Sequence, residues 1–433
     1  MIHRWSPRLA TLFLGWACAL LLAVQAANCV GQWSREPADV HAYRIAAEKM
    51  AGGVDPYVSV DGNRTLQYLY PPTFLMMFSP VLRVEGSYGL AWWAGLQIVM
   101  LAALARCLWM ACAMVAKGKT DAVIVMAALL LFAPAWRNLV EGQISGMVTL
   151  AMLAGVLLLE KGHPVKAGLM LALAAHFKVL PVIALPILLA QRRWQAAGAM
   201  AAWGLALIPL GAAWAQITGA MPGGISAAAT LWWSWVSNMV APVAVDPGSW
   251  IAKEYTPWNH SFVAALHRIF DPAVAQQFGW QQPPLAVPRW LLRAVAWLLG
   301  AAGIAATLRI AWQGAHHPAV RMGSFGLVWL MLNLCHAQTW THHLLSFALL
   351  IPLLAVALEG DGILKKAVWI SVGLFALFVT LPSAIAIVFP PSRFAQSLLL
   401  DAGRYGMTTL LIAGVWAAAF RAALMLSKKP LRS

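Results

Sequence analysis

Of the chain's 433 residues 61% are hydrophobic and only 10% charged, too few charges to coat a water-exposed surface, where about 25% is usual. The formal net charge is +15, but no run of five Lys/Arg occurs and no basic face is interleaved with aromatics, which argues against a nucleic-acid partner. The positive residues instead punctuate long apolar segments, the pattern that sets orientation in a membrane.

A spanning helix needs ~20 mostly apolar residues. Segments of that kind are read at 9–30, 88–116, 121–136, 144–160, a short pair within 167–190, then 196–217, 289–313, 319–336, 343–358, 366–389 and 403–426. The first follows His3, Arg4 and Arg8, with Val24-Gln25-Ala26 as a weak cleavage site. A secretory signal has an apolar core of only ~7–15 residues, so a retained first helix is expected. The short pair has Lys161 and Lys166 before it and Arg192-Arg193 after it, with too few residues for two full spans. A broken or re-entrant hairpin turning near Lys178-Val179-Leu180-Pro181 reconciles these facts, and such backbone is tolerated where it is buried or lines a wet cavity.

The fold class expected is therefore all-α, one polytopic domain over residues 1–433 with about twelve crossings. Loops assigned to the cytoplasm hold 17 of the 30 Lys/Arg but only four of the 15 acids. This asymmetry places both termini in the cytoplasm. Two long loops, 31–87 and 219–288, then lie outside and roof a cavity. The first holds six of the 15 acids, and the second holds Trp232, Trp233, Trp235, Trp250 and Trp258, so parts of both are expected to lie along the outer interface. No internal repeat is visible. The five cysteines form no CxxC pair and suggest neither a disulfide framework nor a metal site.

Asp39 precedes a helical-looking run that ends at Gly52-Gly53. Taken alone it reads as a helix N-cap, with a catalytic carboxylate as the rival reading. Asp55-Pro56 reads as a turn, and Tyr70-Pro71-Pro72 as a bend into the membrane. Lys178 is an ionisable residue within an apolar segment, where charge is costly and usually functional; an interfacial anchor is the plainer alternative. Gln143, after Gly142, could bond a sugar hydroxyl or cap the helix that it heads. His336, His342 and His343 close a span on the outer side without an accompanying Cys or carboxylate, so a polar pocket is expected there rather than a metal site. His316 and His317, beside Pro318 and Arg321, read as loop residues. Arg393 is a thin candidate on the outer side.

The order of these features resembles a known family. An Asp heading a helix in the first external loop, then Gly53-Val54-Asp55-Pro56-Tyr57, then Tyr68-Leu69-Tyr70-Pro71-Pro72, is similar to the polyprenol-phosphate-mannose-dependent mannosyltransferases, glycosyltransferase family 87 of the C-type membrane superfamily. The likeness continues through Glu141-Gly142-Gln143, Ala167-Gly168, Phe177-Lys178…Pro181, Arg192-Arg193-Trp194 and Asn259-His260-Ser261…His267-Arg268, and fades after about residue 270. It implies Asp39 as catalytic base and a lipid-phosphate sugar, with mannose first, as donor. Lys178, His260, Arg268, His336, His342, His343, Gln143, Asn259 and Tyr70 become the substrate-binding candidates.

The chemistry is coherent on its own terms. One carboxylate takes the proton of the acceptor hydroxyl, and the lipid phosphate leaves without a second acid. No Asp-x-Asp pair is present in the first loop, so no metal or other cofactor is expected. Partners would be the polyprenyl-phosphate sugar, a glycolipid or glycan acceptor and membrane lipids. The location implied is the bacterial inner membrane, with the site on its external face. The rivals are an O-antigen ligase or polymerase using a polyprenyl-pyrophosphate donor, and a lipid flippase or transporter. A coupled transporter would place ionisable residues at mid-membrane within its spans.

Overall fold

The computed structural model describes residues 7–35, 38–58, 68–116, 118, 120–241, 255–277, 285–336, 339–359, 362–388, 397, 399, 400, 402, 403 and 406–428. Among these there are helices and turns but no strand. A chain of this composition can satisfy its backbone in hydrocarbon only by helices or closed barrels. The protein is an all-α, multi-pass membrane protein. Among the described residues eight helices are long and apolar enough to cross a membrane. They are α1 (Pro7–Trp33), α4 (Gly86–Val115), α5 (Thr120–Glu141), α9 (Trp194–Ile217), α13 (Arg289–Gln313), α14 (Pro318–Cys335), the run of α16 (Gly362–Phe375) into α17 (Leu381–Val388), and α18 (Met407–Ser427). Shorter apolar helices complete the bundle: α3 (Pro72–Leu82), α6 (Ser145–Glu160), α7 (Pro164–Phe177), α8 (Ala184–Ala190) and α15 (Ile351–Ala357).

The short pair takes the interrupted form anticipated for it, although its first helix begins at Pro164 rather than within 167–190. Helix α7 ends when Lys178 turns extended, at φ −142° and ψ 137°. A 3₁₀ turn at Leu180–Ile183, with Pro181 inside it, leads into α8. At 1.5 Å per residue, 14 residues give about 21 Å and seven about 11 Å, each short of a ~30 Å hydrocarbon core. Gly168 lets α7 lie against α9, since a Cβ there would sit 2.6 Å from the backbone nitrogen of Met200. Small residues at such contacts are how helices associate in lipid.

Among the described residues before Phe262, three helices lie within the segments read as external loops, and the sequence anticipated only the first. Helix α2 (Asp39–Ala51) is the run after Asp39; α3 follows the Tyr-Pro-Pro motif; α10 (Gly224–Trp235) carries three of the tryptophans. Farther on, α11 (Phe262–Phe270) is capped by Ser261, whose Oγ accepts the Ala264 N–H at 3.1 Å, and α12 (Pro272–Gln277) follows.

Helix α6 holds the polar ends of the bundle apart. At its far end the buried Glu160 carboxylate is held by Arg321, with Nε to Oε1 at 2.8 Å and Nη2 to Oε2, while Arg193 stands 3.5 Å away. Gln191 donates to the Arg321 carbonyl at 2.9 Å, so the ends of α6, α8 and α14 are tied together. The near end, at Gln143–Ser145, is about 24 Å away by the same rise per residue, and there the second polar cluster gathers.

Candidate active site

Asp39 is the first residue of α2, but it does not cap it. The N-cap is Ala38, whose N–H donates to Nδ1 of His41 at 3.2 Å. The Asp39 carboxylate is therefore released from the N-cap role that its position suggested, and its Oδ2 accepts instead from Nε2 of Gln143. The orientation of that amide is dictated by its other end. Oε1 of Gln143 accepts from the hydroxyl of Tyr43 at 3.2 Å and from that of Tyr70 at 3.1 Å. An amide oxygen occupied by two donors leaves the NH₂ to face the carboxylate.

Gln143 is itself held at the turn between α5 and α6. Its N–H donates to the Asn138 carbonyl at 2.9 Å, and its carbonyl accepts from Gln97 Nε2 at 3.0 Å. Asn138 Nδ2 donates to Gln97 Oε1 at 2.7 Å, and Asn138 Oδ1 accepts the Gly146 N–H at 3.1 Å. The last carbonyls of a helix have no partner within it. Here Trp33 Nε1 takes that of Val140 at 2.8 Å, and Trp93 Nε1 takes that of Gly142 at 2.9 Å. Gly142 has φ +63°, and a Cβ on it would lie 2.9 Å from Val40 Cβ. The bare turn is what lets α2 approach and put Asp39 on Gln143.

Two sequence motifs interlock beside it. Asp55 Oδ1 accepts the Tyr57 N–H at 2.8 Å, closing the Asp-Pro turn. Tyr57 then donates its hydroxyl to the Tyr70 carbonyl at 2.9 Å, and Tyr68 donates to the Pro71 carbonyl at 3.1 Å. The aromatic rings of Tyr43, Tyr68, Tyr70 and Phe74 pack edge to face or stacked, with centroids 5.3–6.4 Å apart.

Lys178 enters from the break after α7. Its ammonium donates to Ser145 Oγ at 2.8 Å and lies 5.2 Å from the centroid of the Tyr70 ring. Arg137 and Glu141, one turn apart on α5, form an ion pair at 2.5 Å with side chains 37% and 24% exposed. Loss of solvation raises the Asp39 carboxyl to about 6, and the charge of Glu141 adds to this, against the Gln143 amide and the cations Lys178 and Arg137, which favour ionisation. Asp39 is thus placed to be a carboxylate with a usable proton affinity near neutral pH.

The remaining candidates fall in a second group. Asn259 Oδ1 accepts the N–H groups of Ser261 at 3.1 Å and Thr339 at 2.9 Å. His260 donates its N–H to the Thr339 carbonyl at 2.7 Å, and its Nε2 meets Thr341 Oγ1 at 3.0 Å. Burial holds the His260 ring neutral, at about 3. Arg268 is fully buried, and its Nη1 donates to the carbonyls of Tyr255, Thr256 and Asn259 at 3.3, 2.7 and 3.1 Å. Arg268 thus ties the 255–261 loop to α11, and Asn259 and His260 tie it to the segment after α14. His342 is buried with neither ring nitrogen partnered among the described residues, and its ring meets that of His343 edge to face at 4.5 Å. His336 is exposed at the end of α14. Arg393 lies outside the described residues. His317 caps α14, its Nδ1 accepting the Ala319 N–H at 3.2 Å.

Arg137 and Glu141 were not singled out as site residues from the sequence. An Arg-x-x-x-Glu pair at the end of an apolar helix reads as an interfacial ion pair, and the only available signal was that Glu141 begins the Glu-Gly-Gln run.

An apolar cavity of about 280 Å³ lies beside the helix interruption after α7, lined among others by Pro71, His176, Val179, Trp232 and Trp235. Trp235 Nε1 donates to the Leu69 carbonyl at 3.0 Å, and the His176 ring stands edge-on to Trp232 at 5.6 Å.

A multi-pass helical bundle with an amide-held carboxylate near a buried lysine offers the groups that a membrane enzyme can use. The chain belongs to glycosyltransferase family 87, whose model matches residues 68–334, and it is accordingly a membrane glycosyltransferase. The matched segment reaches farther toward the C-terminus than the sequence resemblance did, and it starts at Tyr68, after Asp39 and the Asp-Pro-Tyr motif. No curated protein and no solved structure matches the chain.

Proposed function

We propose that the enzyme transfers mannose, with inversion, from a polyprenyl-phosphate donor to a glycolipid or glycan on the external face of the bacterial inner membrane. The observation that carries this reading is the pairing of Asp39 and Lys178 around Gln143, Tyr70 and Ser145. Asp39 is the carboxylate free to act as base, because the nearby Glu141 is engaged by Arg137. Lys178 supplies a cation next in sequence to Val179, which lines an apolar cavity, and a phosphate on a prenyl chain requires both a cation and an apolar surface.

In the step proposed, the acceptor hydroxyl oxygen attacks the anomeric carbon as Asp39 takes its proton. The bond from that carbon to the phosphate oxygen breaks, its electron pair leaves with the prenyl phosphate, and Lys178 offsets the added charge. Sugar nucleotides are cytoplasmic, so an enzyme facing outward needs a lipid-carried donor. The charge asymmetry of the loops, with most acids on the side of Asp39, supports that orientation.

The test is a donor panel. Membranes containing the enzyme, given short-chain polyprenyl phosphates of mannose, glucose, galactose and arabinose, should transfer mannose alone. Transfer only from a prenyl-pyrophosphate donor would replace this reading with that of a ligase.

A further inference from the structure

Three partly exposed groups, Arg137, Glu141 and Trp258, gather at the ion pair beside Asp39, and the step above brings none of them to substrate. Arg137 and Glu141 keep 37% and 24% of their side-chain surface open, whereas Lys178 is 9% exposed. The Arg137 guanidinium lies over the Trp258 ring, 6.0 Å from its centroid, at the outer limit of a cation–π contact. An aromatic face, a guanidinium and a carboxylate together are the chemistry of sugar recognition. The C–H face of a pyranose covers an indole, and charged donors and acceptors take its hydroxyls.

The loop bearing Trp258 is unusually well fixed. Arg268 binds the carbonyls on both sides of it, at Tyr255, Thr256 and Asn259. Asn259 and His260 bind Thr339, and Pro257 packs so closely on Gly403 that a Cβ there would meet the Pro257 carbonyl oxygen at 2.1 Å. A buried arginine, an asparagine and a histidine thus position one partly exposed tryptophan. Rigid presentation of an aromatic is how a binding surface limits the entropy cost of its ligand.

We propose that Trp258, Arg137 and Glu141 form the subsite for the acceptor sugar, a neutral pyranose whose apolar face covers Trp258 while its hydroxyls bond the Arg137–Glu141 pair. The proposal rests on the glycosyl-transfer reading above. The donor phosphate is assigned to the buried Lys178, and the acceptor must present a hydroxyl to Asp39 from the more open side. The open side is where these three residues stand. His260 and Arg268 then act on the acceptor only by positioning Trp258.

The experiment uses the full-length enzyme in detergent, a short-chain prenyl-phosphate mannose as donor, and octyl α-mannoside, β-glucoside and β-galactoside as acceptors. Trp258→Ala and Glu141→Gln should each raise the acceptor KM about tenfold or more, the cost of one lost charged or aromatic contact, with donor KM within about twofold. Trp258→Phe should recover most of the loss. Against monodeoxy acceptors, the wild type should discriminate at one hydroxyl, and Glu141→Gln should lose that discrimination. An unchanged acceptor KM in both variants, or a rise in donor KM instead, overturns the proposal. Failure of the wild type to transfer to any acceptor from any prenyl-phosphate sugar would overturn the reading on which it stands.

Discussion

The side-chain amide of Gln143 reaches across about a hundred residues of sequence to donate to the carboxylate of Asp39. Together with the Tyr43 hydroxyl, that bond joins α2 to the α5–α6 turn, and its direction is fixed because Tyr43 and Tyr70 occupy the amide oxygen.

Gln143→Ala removes the donor and releases both tyrosine hydroxyls. Transfer should fall about 10²-fold, since small misplacement of a reacting group costs that much, with donor KM little changed. Steady-state kinetics in detergent checks it, and wild-type turnover in this variant would show that Asp39 needs no such orientation.

Lys178→Ala should act on the other substrate. A charge-assisted bond is worth about 1.5–3 kcal/mol, so donor KM should rise roughly 10- to 100-fold, and Lys178→Arg should restore part of it. A donor KM that does not move would leave Lys178 as an anchor to Ser145.

The acid limb of the pH profile has a sign that can be worked out. Asp39 has to be ionised to accept a proton, and its carboxyl is raised to about 6 by loss of solvation, then by Glu141. kcat/KM for the acceptor should therefore rise through about pH 6. Glu141→Gln removes the second of these causes and leaves the opposing cations Arg137 and Lys178, so the midpoint should move to lower pH. A midpoint near that of an ordinary aspartate in the wild type, or a shift upward in the variant, would contradict the assignment.

Gly142→Ala tests the architecture. Its φ of +63° and the 2.9 Å approach of Val40 leave no room for a methyl group. Strain of this kind costs about 1–3 kcal/mol. Thermal unfolding in detergent should show a lower midpoint, and transfer should drop further than stability does because α2 is displaced. Unchanged unfolding and activity would mean that the approach of α2 is not required.

Much of this was legible in the sequence, for identifiable reasons. Hydropathy marked the long helices because hydrocarbon demands apolar side chains regardless of packing. The break at Lys178 was readable because a lysine followed by a proline inside an apolar run suits neither lipid nor an unbroken helix. Helix α3 was passed over because its 11 residues are too few to look like a span and open on the second of two prolines. Asp39 looked like a cap because helix-start position is a local signal; that Gln143 claims it depends on long-range packing, which spacing does not carry. Asn259, His260 and Arg268 stood out by residue type, while their joint work in fixing the Trp258 loop emerges only from their bonds to backbone carbonyls and to Thr339.

The central claim is that Asp39 is the base, and one substitution addresses it directly. Asp39→Asn keeps size and the contact with Gln143 but cannot take a proton. Enzyme carrying it, matched to wild type for amount and for donor KM, should transfer less than about one part in 10² of the wild-type mannose from a short-chain prenyl-phosphate donor, the usual range for loss of a general base. Transfer at the wild-type rate would contradict the account.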